Sequence, residues 1–416
     1  MAGQGKSILI ISALDIWTIG PYEGSQARWY TLKSYAQKGW NVHFITSWRE
    51  RGFDKEIHSK YRNIHIYRLN LDTLQTYASR TPKLGFFLRA IFWIVFQVSA
   101  FFTALKISKK GKIDVIYGYE IYGVPVAKFL SILWEIPVVS RFQGTSLRLF
   151  WMQKKFWKLR AWEHVIAFKI STDLIIMTND GTQGDKVLKY FGIDSRKVRF
   201  WINGFNWEDF EKTFDKEKIR KDLDISSKYI LTSISRLARW KRIDRTIKAL
   251  PRIVKNIPDL KFIVIGDGPE KVNLQKLSEN LKVDNYIYFA GPVPHKEITK
   301  YLAITDIFLS FYDWSNMGNP LMEAMIAGKC IITLNNGDTG TVVKDGVNGI
   351  LLEESNEKEI INNISQNVIK VLKNNELREK LGRDAEEFAK KNFWTWEERM
   401  KVEIQEIERL LDKFKS

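Results

Sequence analysis

A chain of 416 residues exceeds one ordinary domain, and its 45% apolar and 27% charged residues exclude a disordered tail or a fibre. A single cysteine, Cys330, excludes a disulfide framework or a thiolate zinc cluster. The net charge of +17 is uneven: residues 1–210 hold 30 Lys and Arg against 16 Asp and Glu, and the remainder 35 against 32, so the first half carries the field that draws anionic ligands or surfaces.

A lone Lys6 before a short apolar run, with no small-residue cleavage site, predicts a first strand in place of a secretory signal, and a cytoplasmic location is expected. That run, residues 7–12 (SILIIS), has the continuous apolar pattern of a strand buried on both faces. A loop over 17–24 and a helix over 25–38 follow, then a strand at 41–47 (NVHFITS). Further apolar runs at 64–69, 115–117, 138–142, 174–177 and 198–202, with helix-like segments between them, predict a parallel α/β sheet. Near Phe210 the rhythm breaks in a charged stretch and resumes at 229–234, 262–265, 286–290, 307–309, 330–333 and 349–352. The pattern predicts two doubly wound Rossmann-like domains, residues 1–210 and 211–392, facing across a cleft, with an amphipathic helix in residues 393–416 packing back toward the first.

Two segments of the first half stand apart. Residues 90–105 (AIFWIVFQVSAFFTAL) carry only Gln97, Ser99 and Thr103 as polar side chains, with Arg89 before them and Lys106, Lys109, Lys110 and Lys112 after. The run is short for a membrane span, so a helix buried under the sheet is expected, with a membrane-embedded helix as the alternative. Residues 148–162 (RLFWMQKKFWKLRAW) interleave aromatics with cations, and Arg141 flanks them. Arg148, Phe150, Trp151, Lys154, Lys155, Trp157 and Lys158 are expected to face an anionic bilayer, where indoles sit at headgroup level; the plainer reading packs the aromatics on the core. Nucleic acid is not an expected partner, because no helix-turn-helix, zinc-finger or RNP-like element is there to present the basic residues.

The densest chemical signal runs from Leu231 to Leu352. Arg236 and Lys241 lie on a strand-to-helix loop, where two cations beside a helix N-terminus suit a diphosphate; a solvated basic loop is the alternative. Gly266, in the turn Gly266-Asp267-Gly268, follows the strand pattern FIVI, at the carboxyl end where α/β sheets receive ligands. In MGNPLMEAMIAGKCIIT, Gly318 and Asn319 form a loop, Pro320 suits the first helical turn and Glu323 lies one turn in. Backbone N–H groups there can hold a phosphate while the carboxylate accepts ribose hydroxyls; a carboxylate serving only the helix dipole is the competing reading. The DxD triplet Asp222-Leu223-Asp224 reads as charged surface.

The order SRLARWK, VIGDGPE, FAGPVPHKEI, GNPLMEAMIAGKCIIT and VVKDGVNGILL, preceded by DLIIMTNDGTQGDKVLKYFGIDSRKVRFWINGFNWEDF, resembles family 4 of the retaining glycosyltransferases. The match is specific over residues 170–352 and loose before them. It implies the GT-B fold, two Rossmann-like domains, and transfer of a sugar from a nucleotide-sugar with retention, without metal or other cofactor. It further implies that Arg236 and Lys241 grip the donor diphosphate, the main chain around Val293 and Pro294 meets the base, and Glu323 binds ribose. The turn of Gly318, Asn319, Pro320 and Leu321 would face sugar and phosphates, and Gly24 and Ser25 would approach the diphosphate from across the cleft. Two positions depart from the family pattern. Ser315 stands where the family has a glutamate reaching the sugar ring, and Gln143 where it has an active-site histidine; a glutamine can hydrogen-bond a sugar hydroxyl but cannot carry a proton. With the basic first half, the resemblance points to a lipid-linked or membrane-proximal glycan acceptor and a peripheral place on the cytoplasmic face of a membrane. A GT-B nucleotide-sugar 2-epimerase, which would need acid-base groups over the sugar, and a non-catalytic nucleotide-sugar-binding subunit are the alternatives.

Overall fold

The computed structural model describes residues 5–15, 26–50, 54–80, 85–147 and 155–415. Gly24, Ser25, Arg148, Phe150, Trp151 and Lys154 lie outside the described residues. The chain divides into two units, one of residues 1–179, 183–204 and 396–416, the other of residues 180–182 and 205–395. The division thus falls after Gly204, a few residues before the charged stretch, and after Thr395.

Each predicted apolar run is a strand, and both sheets are parallel. The first unit holds β1 (Ser7–Ser12), β2 (Asn41–Thr46), β3 (Ile64–Arg68), β4 (Val115–Tyr119), β5 (Val138–Phe142), β6 (Leu174–Thr178) and β7 (Val198–Trp201), in the spatial order β3-β2-β1-β4-β5-β6-β7. Every residue of β1, β4, β5 and β6 is buried, because crossover helices cover both faces of a parallel sheet and leave no position facing water. The second unit holds β8 (Tyr229–Ile234), β9 (Leu260–Ile265), β10 (Ile287–Gly291), β11 (Ile307–Ser310), β12 (Cys330–Asn335) and β13 (Ile350–Glu353), in the order β10-β9-β8-β11-β12-β13. In this unit β8 lies between β9 and β11, so the winding reverses there; β1, between β2 and β4, is the same reversal in the first unit. The second core joins Phe262, Val264, Leu309 and Ile332 of the sheet to Ile247, Leu250, Ile364 and Val368 of helices Ile243–Asn256 and Glu357–Lys373.

The apolar run at 90–105 is the helix Gly85–Ser108, and the expectation that it is buried needs correction. Phe92, Phe96, Ala100 and Ala104 are buried against Leu9, Ile11 and Ile116 of the sheet, but Phe87, Ile94 and Phe102 are more than half exposed. A sheet covers a helix on one side only, and among the described residues nothing comparable covers the other. Within the segment expected to face a bilayer, Lys155 and Lys158 are exposed, but Trp157 is half-buried and its ring lies 6.0 Å from Tyr190 and 6.4 Å from Phe191. The flanking Arg141 is fully buried, so it belongs to the interior and faces no membrane.

Helix Trp396–Lys415 belongs to the first unit, and a buried ionic knot explains why. Glu403, inaccessible to solvent, accepts hydrogen bonds from Tyr117 of β4 (2.8 Å), Arg141 of β5 (2.9 Å) and Arg399 one turn earlier on its own helix (3.0 Å). Arg399 also donates to the Ile202 carbonyl and lies over the Trp201 ring, and Trp396 stacks on Tyr30. Removing one member of such a knot leaves charge buried without its partner. Glu403→Gln is expected to lower unfolding free energy by about 3–5 kcal/mol, read by urea denaturation. Glu408→Gln, which breaks the half-exposed pair with Lys6, should cost under about 1 kcal/mol in the same measurement.

Candidate functional site

Because the second sheet is parallel, the loops after β8, β9, β10, β11 and β12 all leave from one edge, and the reversal at β8 marks the place on that edge where open α/β sheets form their ligand crevice. Main-chain hydrogen bonds tie these loops together. Leu237 N–H reaches the Asp267 carbonyl (2.9 Å), Gly266 N–H the Gly291 carbonyl (2.8 Å) and Asp313 N–H the Trp240 carbonyl (3.0 Å). Gly266 has φ +128, and a Cβ there would sit 1.9 Å from the Ser235 carbonyl oxygen. The glycine is thus required by the close approach of the β8 loop, whatever ligand lies beyond.

The β8 loop carries Arg236 and Lys241. Arg236 is exposed, and its side chain makes no hydrogen bond or ion pair among the described residues, only its carbonyl accepting from Ala238 N–H at 2.8 Å. Lys241 ends the one-turn segment Arg239–Lys241, which Arg242 terminates in a left-handed conformation (φ 48). Its Nζ lies 4.0 Å from the centre of the Trp240 ring and 3.7 Å from that of Tyr312, a cation held by two π faces. Tyr312 is itself fixed, its hydroxyl donating to the Ile234 carbonyl at 3.1 Å. Burial pushes the Lys241 ammonium down to about 7, and Asp180 opposes the shift. Burial also pushes the Asp180 carboxyl up to about 6, although the Thr182 hydroxyl and N–H donate to it. A cation and a carboxylate, each resisting its charge, therefore sit within electrostatic reach beside the crevice.

Glu323, buried in helix Asn319–Ile326, receives a 2.8 Å hydrogen bond at Oε1 from, or shares it with, His295 Nε2. His295 follows Val293 and Pro294 in the loop after β10, so the segment expected to meet the base and the carboxylate expected to meet ribose are mechanically coupled. Helix Asn319–Ile326 begins at Gly318 with Pro320 in its first turn, and Leu321 N–H bonds back to the Gly318 carbonyl at 3.1 Å. The Leu321 side chain is buried in the core, so only its main chain belongs to the helix start.

Of the two positions that depart from the family pattern, Ser315 is buried and Gln143 is half-buried. Ser315 is buried, its hydroxyl donating to the Asp180 carbonyl (3.1 Å) and accepting from Met317 N–H (3.1 Å). Gly181 packs on it so closely, with φ +77, that a Cβ there would lie 2.0 Å from the Ser315 oxygen. The fully buried Asn316 fixes the same loop, accepting from Tyr312 N–H and donating to the Leu334 carbonyl and Asn336. In the first unit Gln143 was expected to offer its amide to a sugar; that amide is 2.7 Å from the Tyr119 hydroxyl, and with its oxygen turned to accept from Arg141 Nε at 3.1 Å both partners are satisfied. Both side chains thus serve internal hydrogen bonds. Asp222 and Asp224 are exposed at the end of helix Lys216–Asp222. Asp180, His295 and Tyr312 escaped the residue-level reading although all three lie in or beside the motifs, because partners far apart in sequence define their roles.

Residues 215–388 match the model of the glycosyl transferases group 1 family. The match covers less than half of the chain, so the likeness to that family is a likeness of this segment. A glycosyltransferase of Methanocaldococcus jannaschii described as uncharacterized is 30% identical over 222 residues, 53% of this chain and 55% of that protein. The chain thus aligns with about half of that relative's length. The N-acetyl-alpha-D-glucosaminyl L-malate synthase of Bacillus anthracis is 24% identical over 377 residues, 87% of each chain. The crystal structure of Anabaena HepE in complex with UDP and glucose superposes with a TM-score of 0.72, at 17% identity, over 96% of this chain and 100% of that one. The last likeness concerns fold alone, the two-sheet GT-B arrangement that the resemblance implied.

Ser315→Glu, which installs the residue usual in the family it resembles, is expected to destabilise, because the space a longer side chain needs is filled by Gly181 and Asp180. A loss of about 1–3 kcal/mol, read as a lowered melting temperature, is expected for such overpacking.

Proposed function

We propose that this enzyme transfers a glycosyl group, with retention and without a metal ion, from a nucleoside-diphosphate sugar to a lipid-linked or membrane-proximal glycan acceptor. The observation that carries the reading is the position of Lys241 and Arg236 on the loop after β8, at the reversal of the second sheet, beside the start of helix Asn319–Ile326. In the transfer, the bond from the anomeric carbon to the diphosphate oxygen breaks as a bond to the acceptor oxygen forms on the same face, and the acceptor's proton passes to the departing diphosphate. The cost lies in the negative charge gathering on that diphosphate, which the held Lys241, the exposed Arg236 and a helix N-terminus can stabilise without a metal. Glu323 would accept the ribose hydroxyls, with His295 holding it, and the main chain at Val293 and Pro294 would meet the base. The HepE complex makes UDP-glucose the first donor to try. The excess of cations in residues 1–210 supports an anionic or membrane-bound acceptor, as it supports a peripheral place on the cytoplasmic face.

Lys241→Ala and Arg236→Ala are each expected to lower turnover by about 10² or more, as for loss of a group that stabilises developing charge. Nucleotide release from a panel of donors measures this, and near-normal turnover in both variants overturns the assignment.

The depressed Lys241 ammonium adds a pH signature. Above about 7 the free protein has largely lost this proton, so a bound diphosphate must recover it, and donor affinity falls as pH rises through about 7. Asp180 is charged above about 6, and its protonation as pH falls through that value removes a negative neighbour and strengthens binding further. Calorimetric titration at pH 8 in buffers of different ionisation enthalpy should show uptake of about one proton per donor, and Lys241→Met should abolish it.

A further inference from the structure

Helix Gly85–Ser108 spends only one side on the protein interior. Phe92, Phe96, Ala100, Ala104 and Ile107 form the buried stripe. On the opposite side Phe87, Ile91, Ile94, Val98 and Phe102 recur at helical spacing and are 49–66% exposed. Phe129, Ile132 and Leu133 of helix Glu120–Trp134 are exposed as well, and the Phe129 ring lies 5.5 Å from Phe101. A helix bathed in water carries polar residues on its outer face, and this one carries none along that stripe.

Cations flank the apolar face at both ends. Lys106, Lys109, Lys110 and Lys112 are exposed at the C-terminal end. At the other end Arg89 pairs with Glu163 and Trp93 packs edge-on against Trp162, which brings the exposed Lys155, Lys158 and Arg160 alongside. The helix has 24 residues, enough to span a bilayer, yet its inner stripe is anchored in the sheet and cannot be withdrawn without exposing Phe92 and Phe96. A long helix that is apolar outward, anchored inward and basic at its ends suits the plane of an anionic membrane, acyl chains against the stripe and headgroups at the lysines.

Between the two helices runs an apolar groove of about 320 Å³ lined by Trp93, Gln97, Val98, Phe102, Val126 and Phe129. Trp93 Nε1 and Gln97 Oε1 are turned inward and buried, so the groove presents an almost wholly apolar wall, which suits a lipid chain.

We infer that the outer face of helices Gly85–Ser108 and Glu120–Trp134 docks on an anionic lipid bilayer, with the first helix lying in the membrane plane and one lipid chain entering the groove beside Trp93 and Gln97. This rests on the membrane-proximal acceptor proposed above and names the surface that would serve it.

The full chain is floated with phosphatidylcholine vesicles with and without phosphatidylglycerol. Binding to the anionic vesicles alone is expected. The triple variants Ile91→Ser/Ile94→Ser/Phe102→Ser and Lys106→Ser/Lys109→Ser/Lys110→Ser should each weaken it about tenfold or more at an unchanged melting temperature. With lipids brominated on their chains, tryptophan quenching should drop in Trp93→Phe, and equal quenching in that variant overturns the groove assignment. Docking is overturned if the wild type does not float, if the variants float equally, or if sedimentation shows a dimer that the apolar variant dissolves while vesicles stay unbound. Nucleotide release separates the two readings: flotation without turnover on any donor leaves docking standing and removes the transferase proposal, whereas turnover on a water-soluble acceptor without flotation does the reverse.

Discussion

A parallel strand cannot return by a hairpin, so each must be followed by a crossover that carries the chain back to the same starting edge. All carboxyl ends therefore gather on one side, and the loops that follow them meet whatever their separation in sequence. In the second unit this constraint brings the β8 loop with Lys241 against the β11 loop with Tyr312, and the β10 loop with His295 against Glu323. Strand order adds the position: β8 and β11 are neighbours at the point where the winding reverses, the place where open α/β sheets receive their ligands.

Charge is buried in both units, to opposite effect. In the first unit Glu403 has three donors and draws the terminal helix into the sheet, a closed arrangement with little left to offer a ligand. In the second, Arg242 and Arg245 share Asp313 and Glu357 in a similarly closed cluster. Lys241 differs from these. Its nearest neighbours are aromatic rings, no carboxylate lies within ion-pairing distance among the described residues, and its ammonium is held down to about 7. A cation desolvated in this manner gains more from an arriving diphosphate than a paired one, and that distinguishes a binding group from a structural one.

The departures at Gln143 and Ser315 also take on a physical meaning. Both make hydrogen bonds within the protein. Gln143 completes the bonding around Arg141 and Tyr119, and Ser315 locks residues 180–182 to the β11 loop, where Gly181 leaves no room for a larger side chain.

The strands, their parallel arrangement and the likeness to the glycosyl transferases group 1 model were legible in the sequence, because a strand buried on both faces must be apolar throughout and because SRLARWK, VIGDGPE and GNPLMEAM each follow or close such a strand. Lys241 and Glu323 could be singled out for the same reason, their positions being local to a strand end or a helix start. Tertiary contact alone decided which groups surround them. The aromatic faces on Lys241, the His295 bond to Glu323 and the enclosure of Ser315 join residues tens of positions apart, and composition or spacing carries no trace of such pairings. The apolar helix Gly85–Ser108 makes the same point, since hydropathy records that a residue avoids water and only packing shows which of its neighbours shields it.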